Sequence, residues 1–220
     1  MKRMILALLL AAVTASALLL TGCEKNKDDV KLKTASEMQT YVSKALALPD
    51  AEYKSQKDEG SDKRVFTFKD RLCGFEFEAV SEKTKKYFDA TVVGYAESTS
   101  VNWSEAYYGY LKDKVSAEAD RIAAENGFTL NWNGTVDNAV FLFIDTDRSS
   151  GELAPVIKEL GSLIKSEDKH GKLASHEIWC VSKAGSKNYK DVTAFYEFDT
   201  GELRDKSERA EFRAPDHLNG

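Results

Sequence analysis

Histidine is scarce in this chain of 220 residues, with three in all: His170, His176 and His217. A hydrolase built on a nucleophile needs a base, usually histidine. None of the three has a helpful setting: His217 is near the C-terminal end, His170 lies in a charged loop (SEDKHGK), and His176 begins an apolar strand. The G-x-S-x-G, H-E-x-x-H and S-x-x-K contexts are missing, and Ser182-Lys183 and Ser186-Lys187 are adjacent pairs at the wrong spacing. Gly127, Gly134 and Gly151 are isolated, so there is no phosphate loop and no cofactor is expected. Internal repeats are absent, as are runs rich in Lys and Arg, and 31 basic residues face 36 acidic ones. Nucleic-acid binders carry a basic patch, which excludes nucleic acid as an expected partner.

Long apolar runs are also rare, with one exception. A basic start, Met1 to Arg3, leads into Met4 to Leu20, interrupted only by Thr14 and Ser16, and then into Leu20-Thr21-Gly22-Cys23. That is the form of a secretory signal. Its end resembles the lipobox of bacterial lipoproteins, L-x-G-C with a small or polar x. The resemblance implies that the Cys23 thiol receives a diacylglyceryl group, that a peptidase cuts after Gly22, and that Cys23 becomes the mature N-terminus. It covers residues 1–23 alone. Two other readings exist: a retained transmembrane helix, since about 17 residues is the lower limit for a span, and a signal cut elsewhere that leaves Cys23 an ordinary thiol. The Gly-Cys ending favours lipidation. Glu24 is not the Asp that the resemblance associates with inner-membrane retention.

Without residues 1–22, which include Lys2 and Arg3, 29 basic residues oppose 36 acidic ones, a net charge of −7. An acidic domain is repelled by anionic headgroups, so the lipid does the holding. The organisation expected is a signal peptide over 1–22, a charged tether over 23–33, one α+β domain over 34–200 and a polar tail over 201–220. Thr34-Ala35-Ser36-Glu37 has capping-box form, and Met38, Tyr41, Val42, Ala45 and Leu46 follow at helical spacing, predicting a helix over 35–47 that stops before Pro49.

Alternation then predicts a β-meander: a strand around Val65 to Phe68, another with Phe75, Phe77 and Val80 inward, and a third over 87–96. A long helix opens at Asn102 or Ser104 and ends at Asn126-Gly127, with Tyr108, Leu111, Val115, Ala119, Ile122 and Ala123 on its core stripe. Strands at 128–132 and 139–144 flank Asn133-Gly134. A helix starting near Glu152, with Pro155 in its first turn, precedes strands at 176–182 and 191–198. The fold class expected is α+β, a mostly antiparallel sheet with two helices packed on one face. The order from strand 87–96 onward is the β-α-β-β-α-β of a ferredoxin-like unit, extended by the N-terminal helix and meander.

Four sets of residues invite a chemical reading. Cys73 and Cys180 lie in the exported part, where disulfides persist. Joined, they would close about 107 residues for roughly 4–5 kcal/mol; unjoined, they are two small hydrophobes. Asp145 and Asp147 begin a segment like a calcium loop, but Ser150 replaces the Gly at position 6 and Val156 the bidentate Glu at position 12. That leaves a polar strand-to-helix turn as the favoured reading. Trp103, Tyr107 and Tyr110 form an aromatic row that either offers flat faces to a sugar or a protein, or is covered by neighbouring chain. Paired carboxylates among 36 acids keep a cell-envelope hydrolase open. The function expected is a non-catalytic binding or protein-interaction module at the extracytoplasmic face of the cell membrane. It is held by the lipid on Cys23 and faces an envelope protein or glycan.

Overall fold

The structure, a computed structural model, describes residues 26–45, 47–48, 51–133 and 139–208. The expected signal peptide, Cys23, the expected turn at Gly134, Pro49 and residues 209–220 with His217 lie outside the described residues. Among the described residues no helix is long and apolar enough to cross a membrane.

The fold is α+β, with mostly antiparallel strands in two sheets, and the chain gathers into two compact units where one domain was expected. The first unit takes described residues up to Lys69 together with Glu78–Val101; the second takes Asp70–Phe77 and the chain from Asn102 on.

In the first unit, helix α1 (Ala35–Ala45) precedes a meander of β1 (Ala51–Glu59), β2 (Lys63–Asp70), β3 (Glu76–Phe88) and β4 (Thr91–Val101), paired in that order. The capping box forms: Thr34 N–H donates to Glu37 Oε2 at 2.8 Å and Glu37 N–H to Thr34 Oγ1 at 3.3 Å. Met38 and Val42, one turn apart, turn inward. On β3 the inward set is Phe77, Ala79 and Ser81, and Val80 is half-buried, one residue off the expected register. The strand expected at 87–96 is divided by a turn at Asp89 and Ala90, both at positive φ. A glycine would have announced that turn; Asp tolerates the left-handed region, and Ala is unusual there.

The described part of the expected tether, residues 26–33, is folded. A 3-10 turn occupies Lys27–Asp29, Lys27 pairs with Asp62, and Val30 is buried. Lys33 N–H donates to Ser81 Oγ at 3.0 Å and its ammonium pairs with Glu97. These contacts hold residues 26–33 against the sheet.

In the second unit, α2 (Trp103–Glu125) leads to β5 (Thr129–Trp132), β6 (Val140–Asp145), α3 (Ser150–Ser166), β7 (Glu177–Val181), β8 (Val192–Glu197) and β9 (Glu202–Asp205), the five strands paired in sequence order. Strands β6 and β7 run parallel, joined by α3, and the other neighbours are antiparallel. Both faces of the sheet are apolar, which suits strands that read as continuous hydrophobic runs. Phe143, Trp179 and Phe195 align across three strands on one face. Leu142, Ile178 and Tyr196 align on the other, where α3 comes so close that a Cβ at Gly161 would lie 2.2 Å from the Tyr196 ring.

The ferredoxin-like order is not realised. It needs the strand before α2 in the same sheet as those after it, whereas β4 pairs with β3 in the other sheet. The turn at 89–90 closes a hairpin, and that local pairing takes β4. The first part of the expected tail is folded, with β9 and a 3-10 turn at Lys206–Glu208.

Candidate functional site

Within the second unit, the turn between β2 and β3 and the loop after α3 bring together Asp70, Cys73 and His170. The turn is organised by Asp70. Its N–H donates to Phe75 O at 2.9 Å, its carbonyl accepts from Gly74 N–H at 2.8 Å, and its Oδ1 accepts from Cys73 N–H at 2.8 Å. Aspartate commonly closes a turn by accepting from backbone a few residues on. Gly74 sits at φ 87°, where a side chain is strained.

The opposing loop is organised by Asp168. Its carboxylate accepts from Tyr107 O–H at 2.6 Å and from Lys172 and Leu173 N–H at 2.9 and 2.8 Å. Tyr107 Oη in turn accepts from His170 N–H at 3.1 Å, which seats the histidine backbone on α2.

Asp70 is 3% exposed, and its Oδ2 accepts from Trp103 Nε1–H at 3.1 Å. His170 Nε2 lies 2.9 Å from the same oxygen. The distance suits an ion pair, yet Nε2 is buried and makes no hydrogen bond that meets the usual geometry. Aromatic rings wall the cluster. Trp103 and Tyr107 stack at 5.0 Å, and the His170 ring stands edge-on to each at 5.1 Å. Phe75 touches Trp103, Tyr107 and Tyr110 with centroids 5.7–6.2 Å apart. Among the described residues, Asp70, Cys73 and His170 form the one group of His, Cys, Asp or Glu donors with all three atoms within 4.8 Å of one another.

Burial is the largest influence on Asp70 and opposes its charge, but the bonds from Cys73 N–H and Trp103 and the approach of His170 together outweigh it, so the carboxyl titrates below its usual range. Burial, then the charge of Asp70, pushes the Cys73 thiol up. Burial also raises the Tyr107 hydroxyl, reinforced by its bond to Asp168. At the next position, Tyr108 O–H lies 2.8 Å from His176 Nε2, and burial lowers the histidine below its ordinary value.

The residues singled out by sequence are placed as follows. Trp103 and Tyr107 are 3% and 0% exposed and Tyr110 is half-buried, so the aromatic row is no open platform, because Phe75 and His170 cover it. Tyr107, not Tyr108, continues the stripe from Leu111: both lie within one turn of it, and the hydrogen bonds to Asp168 and His170 draw Tyr107 inward. Cys73 and Cys180 are free thiols, which corrects the disulfide reading; Cys180 is buried in β7 between Ile144 and Ala194, and Cys73 is in the turn beside Asp70.

Asp145 Oδ2 accepts from Asn131 Nδ2 at 2.6 Å and Gly185 N–H at 2.9 Å, so that carboxylate braces two segments. Asp147 is exposed, and neither belongs to the donor group. Sequence reasoning passed over Asp70 and His170 as a pair, whose only local signals were D-x-x-C-G and a charged loop that carries His170, 97 residues after Cys73. In the first unit, a polar groove of about 270 Å³ beside Gln39, Thr40 and Lys44 brings together no catalytic set. No protein-family model, curated protein or solved structure matches this chain.

Proposed function

We propose that this chain is a lipid-anchored bacterial lipoprotein whose mature part is a non-catalytic binding module at the extracytoplasmic face of the membrane. The observation that carries the reading is Leu20-Thr21-Gly22-Cys23 at the end of a basic and apolar leader, three residues before the first described residue, Asn26. From Cys23 to Asn26 an extended chain spans at most about 11 Å. The first unit therefore stays close to the headgroups. Glu24 after Cys23 is compatible with an outer-membrane destination in a cell that has one.

The first unit also carries a surface suited to a partner. At the β3–β4 tip, Tyr87, Phe88 and Val92 are 63%, 64% and 42% exposed. Left in water at a hairpin end, these side chains offer apolar area, to which the Tyr87 hydroxyl adds a hydrogen-bonding group, as contact residues do. An envelope protein or a glycan is the partner class.

Metabolic labelling with a palmitate analogue tests the anchor: label on the wild type and none on Cys23→Ala is expected, and equal label on both refutes it. Pull-down from solubilised envelopes tests the binding role, with capture expected for the wild type and lost in Tyr87→Ser/Phe88→Ser. Turnover of cell-wall fragments by the purified protein would overturn the non-catalytic reading.

A further inference from the structure

We propose that Asp70, Cys73 and His170 form a zinc site, in which carboxylate, thiolate and imidazole fill three of four tetrahedral positions. The proposal is independent of the lipid anchor and of the hairpin tip.

The three donor atoms already converge within 4.8 Å. Zinc bonds of about 2.0 Å to nitrogen and oxygen and about 2.3 Å to sulfur set ligand-to-ligand edges of roughly 3.3–3.6 Å in a tetrahedron. The Asp70–His170 edge, 2.9 Å here, has to open by about half an ångström. The longest edge, up to 4.8 Å here, closes by at most about 1.3 Å. Small side-chain rotations accomplish both. The donor chemistry selects the metal class: calcium and magnesium take oxygen ligands, whereas mixed thiolate, imidazole and carboxylate suit zinc.

The surroundings have the character of an outer shell. Trp103 Nε1–H on Asp70 Oδ2 and Cys73 N–H on Oδ1 fix the carboxylate plane. Each carboxylate oxygen accepts in more than one direction, so Oδ2 keeps its tryptophan bond and still reaches a cation. His170 is seated through its backbone on Tyr107, and the loop that carries it through Asp168. The two segments are therefore held in place by bonds that metal binding does not consume. His170 Nε2, buried and without a hydrogen bond, is the atom that a metal would satisfy. Phe75, Trp103 and Tyr107 supply the apolar wall that limits solvent access. Three protein ligands leave the fourth position to water or to a donor brought by a ligand.

Titration of the purified full chain with Co²⁺, followed by Zn²⁺, tests the site. One equivalent of cobalt should produce a thiolate-to-cobalt charge-transfer band together with the visible d–d bands of tetrahedral coordination, and zinc should erase both. Cys73→Ser should abolish the charge-transfer band, and both Cys73→Ser and His170→Ala should weaken zinc at least tenfold. Cys23→Ala and Cys180→Ala should leave the signal unchanged. Serine at the half-buried position 73 is close in size to cysteine, and unchanged tryptophan fluorescence and circular dichroism confirm that the variant is folded. The proposal fails if no band forms, if it survives Cys73→Ser, or if it follows Cys180 or Cys23.

Discussion

Replacing Gly161 by alanine should destabilise the second unit, against the usual effect of that change in a helix. Gly161 sits in the interior of α3, where alanine is ordinarily favoured by about 0.8–1 kcal/mol. Here the added Cβ would stand 2.2 Å from Cε1 and Cζ of Tyr196 and 2.6 Å from its hydroxyl oxygen. Non-bonded carbons rest at about 3.5–4.0 Å, so the ring or the helix must move by more than an ångström. Tyr196 is 2% exposed and has no open space to move into. Overpacking of this kind costs about 1–3 kcal/mol, and the upper part of that range applies because the obstacle is a buried ring rather than a flexible chain end. Less the helix gain, the net loss is about 1–2 kcal/mol.

Gly109 provides the control. It also lies within a helix, α2, but nothing stands within 4 Å of its Cβ position, so Gly109→Ala should gain about 0.5–1 kcal/mol. All three tryptophans, Trp103, Trp132 and Trp179, belong to the second unit, so urea unfolding followed by tryptophan fluorescence reports on that unit. At a slope of about 2 kcal/mol per molar urea, Gly161→Ala should lower the midpoint by roughly 0.5–1 M and Gly109→Ala should raise it slightly. In a Tyr196→Ala background the Gly161 substitution should become neutral or stabilising, since the obstacle is gone. A Gly161→Ala midpoint at or above wild type would refute the close packing of α3 on β8.

Three further outcomes are expected. Thr34→Ala removes one half of the α1 capping box and should cost the first unit about 1 kcal/mol, read as faster amide exchange in α1 with the tryptophan signal unchanged. His176 is held below its ordinary value by burial, against a hydrogen bond from its ring to the Lys172 backbone and the charges of Asp168 and Glu177, so the unfolded chain takes up its proton first. That contribution to stability is complete above about pH 6.5 and declines as pH falls through the folded value; the urea midpoint should drop over this window, less steeply in His176→Gln, and equal slopes in the two proteins contradict it. Burial pushes the Cys180 thiol up to about 12, so a thiol reagent should modify Cys73 well before Cys180 in the native protein; without reductant, denaturant should expose both, and a count short by two would restore the disulfide.

The α+β class, the α1 capping box, the extents of α2 and the apolar run of β6 could be read from sequence because each is a local pattern: a cap, a 3.6-residue stripe, a run of large hydrophobes. The partition into sheets could not. Nothing in the sequence of β4 distinguishes a partner across a tight turn from one beyond a helix, and the turn at Asp89-Ala90 carried no glycine. The cluster was hidden for the same reason, since Asp70 and Cys73 share a turn while His170 arrives from a loop 97 residues after Cys73. The proposed leader ending in Leu20-Thr21-Gly22-Cys23 rests on sequence alone, because a processing signal is met as linear chain and needs no folded partner. Tertiary structure alone decided which aromatic face is covered, that Cys73 and Cys180 stay apart, and that a carboxylate, a thiol and an imidazole meet. Those outcomes depend on distances between segments far apart along the chain, which only packing sets.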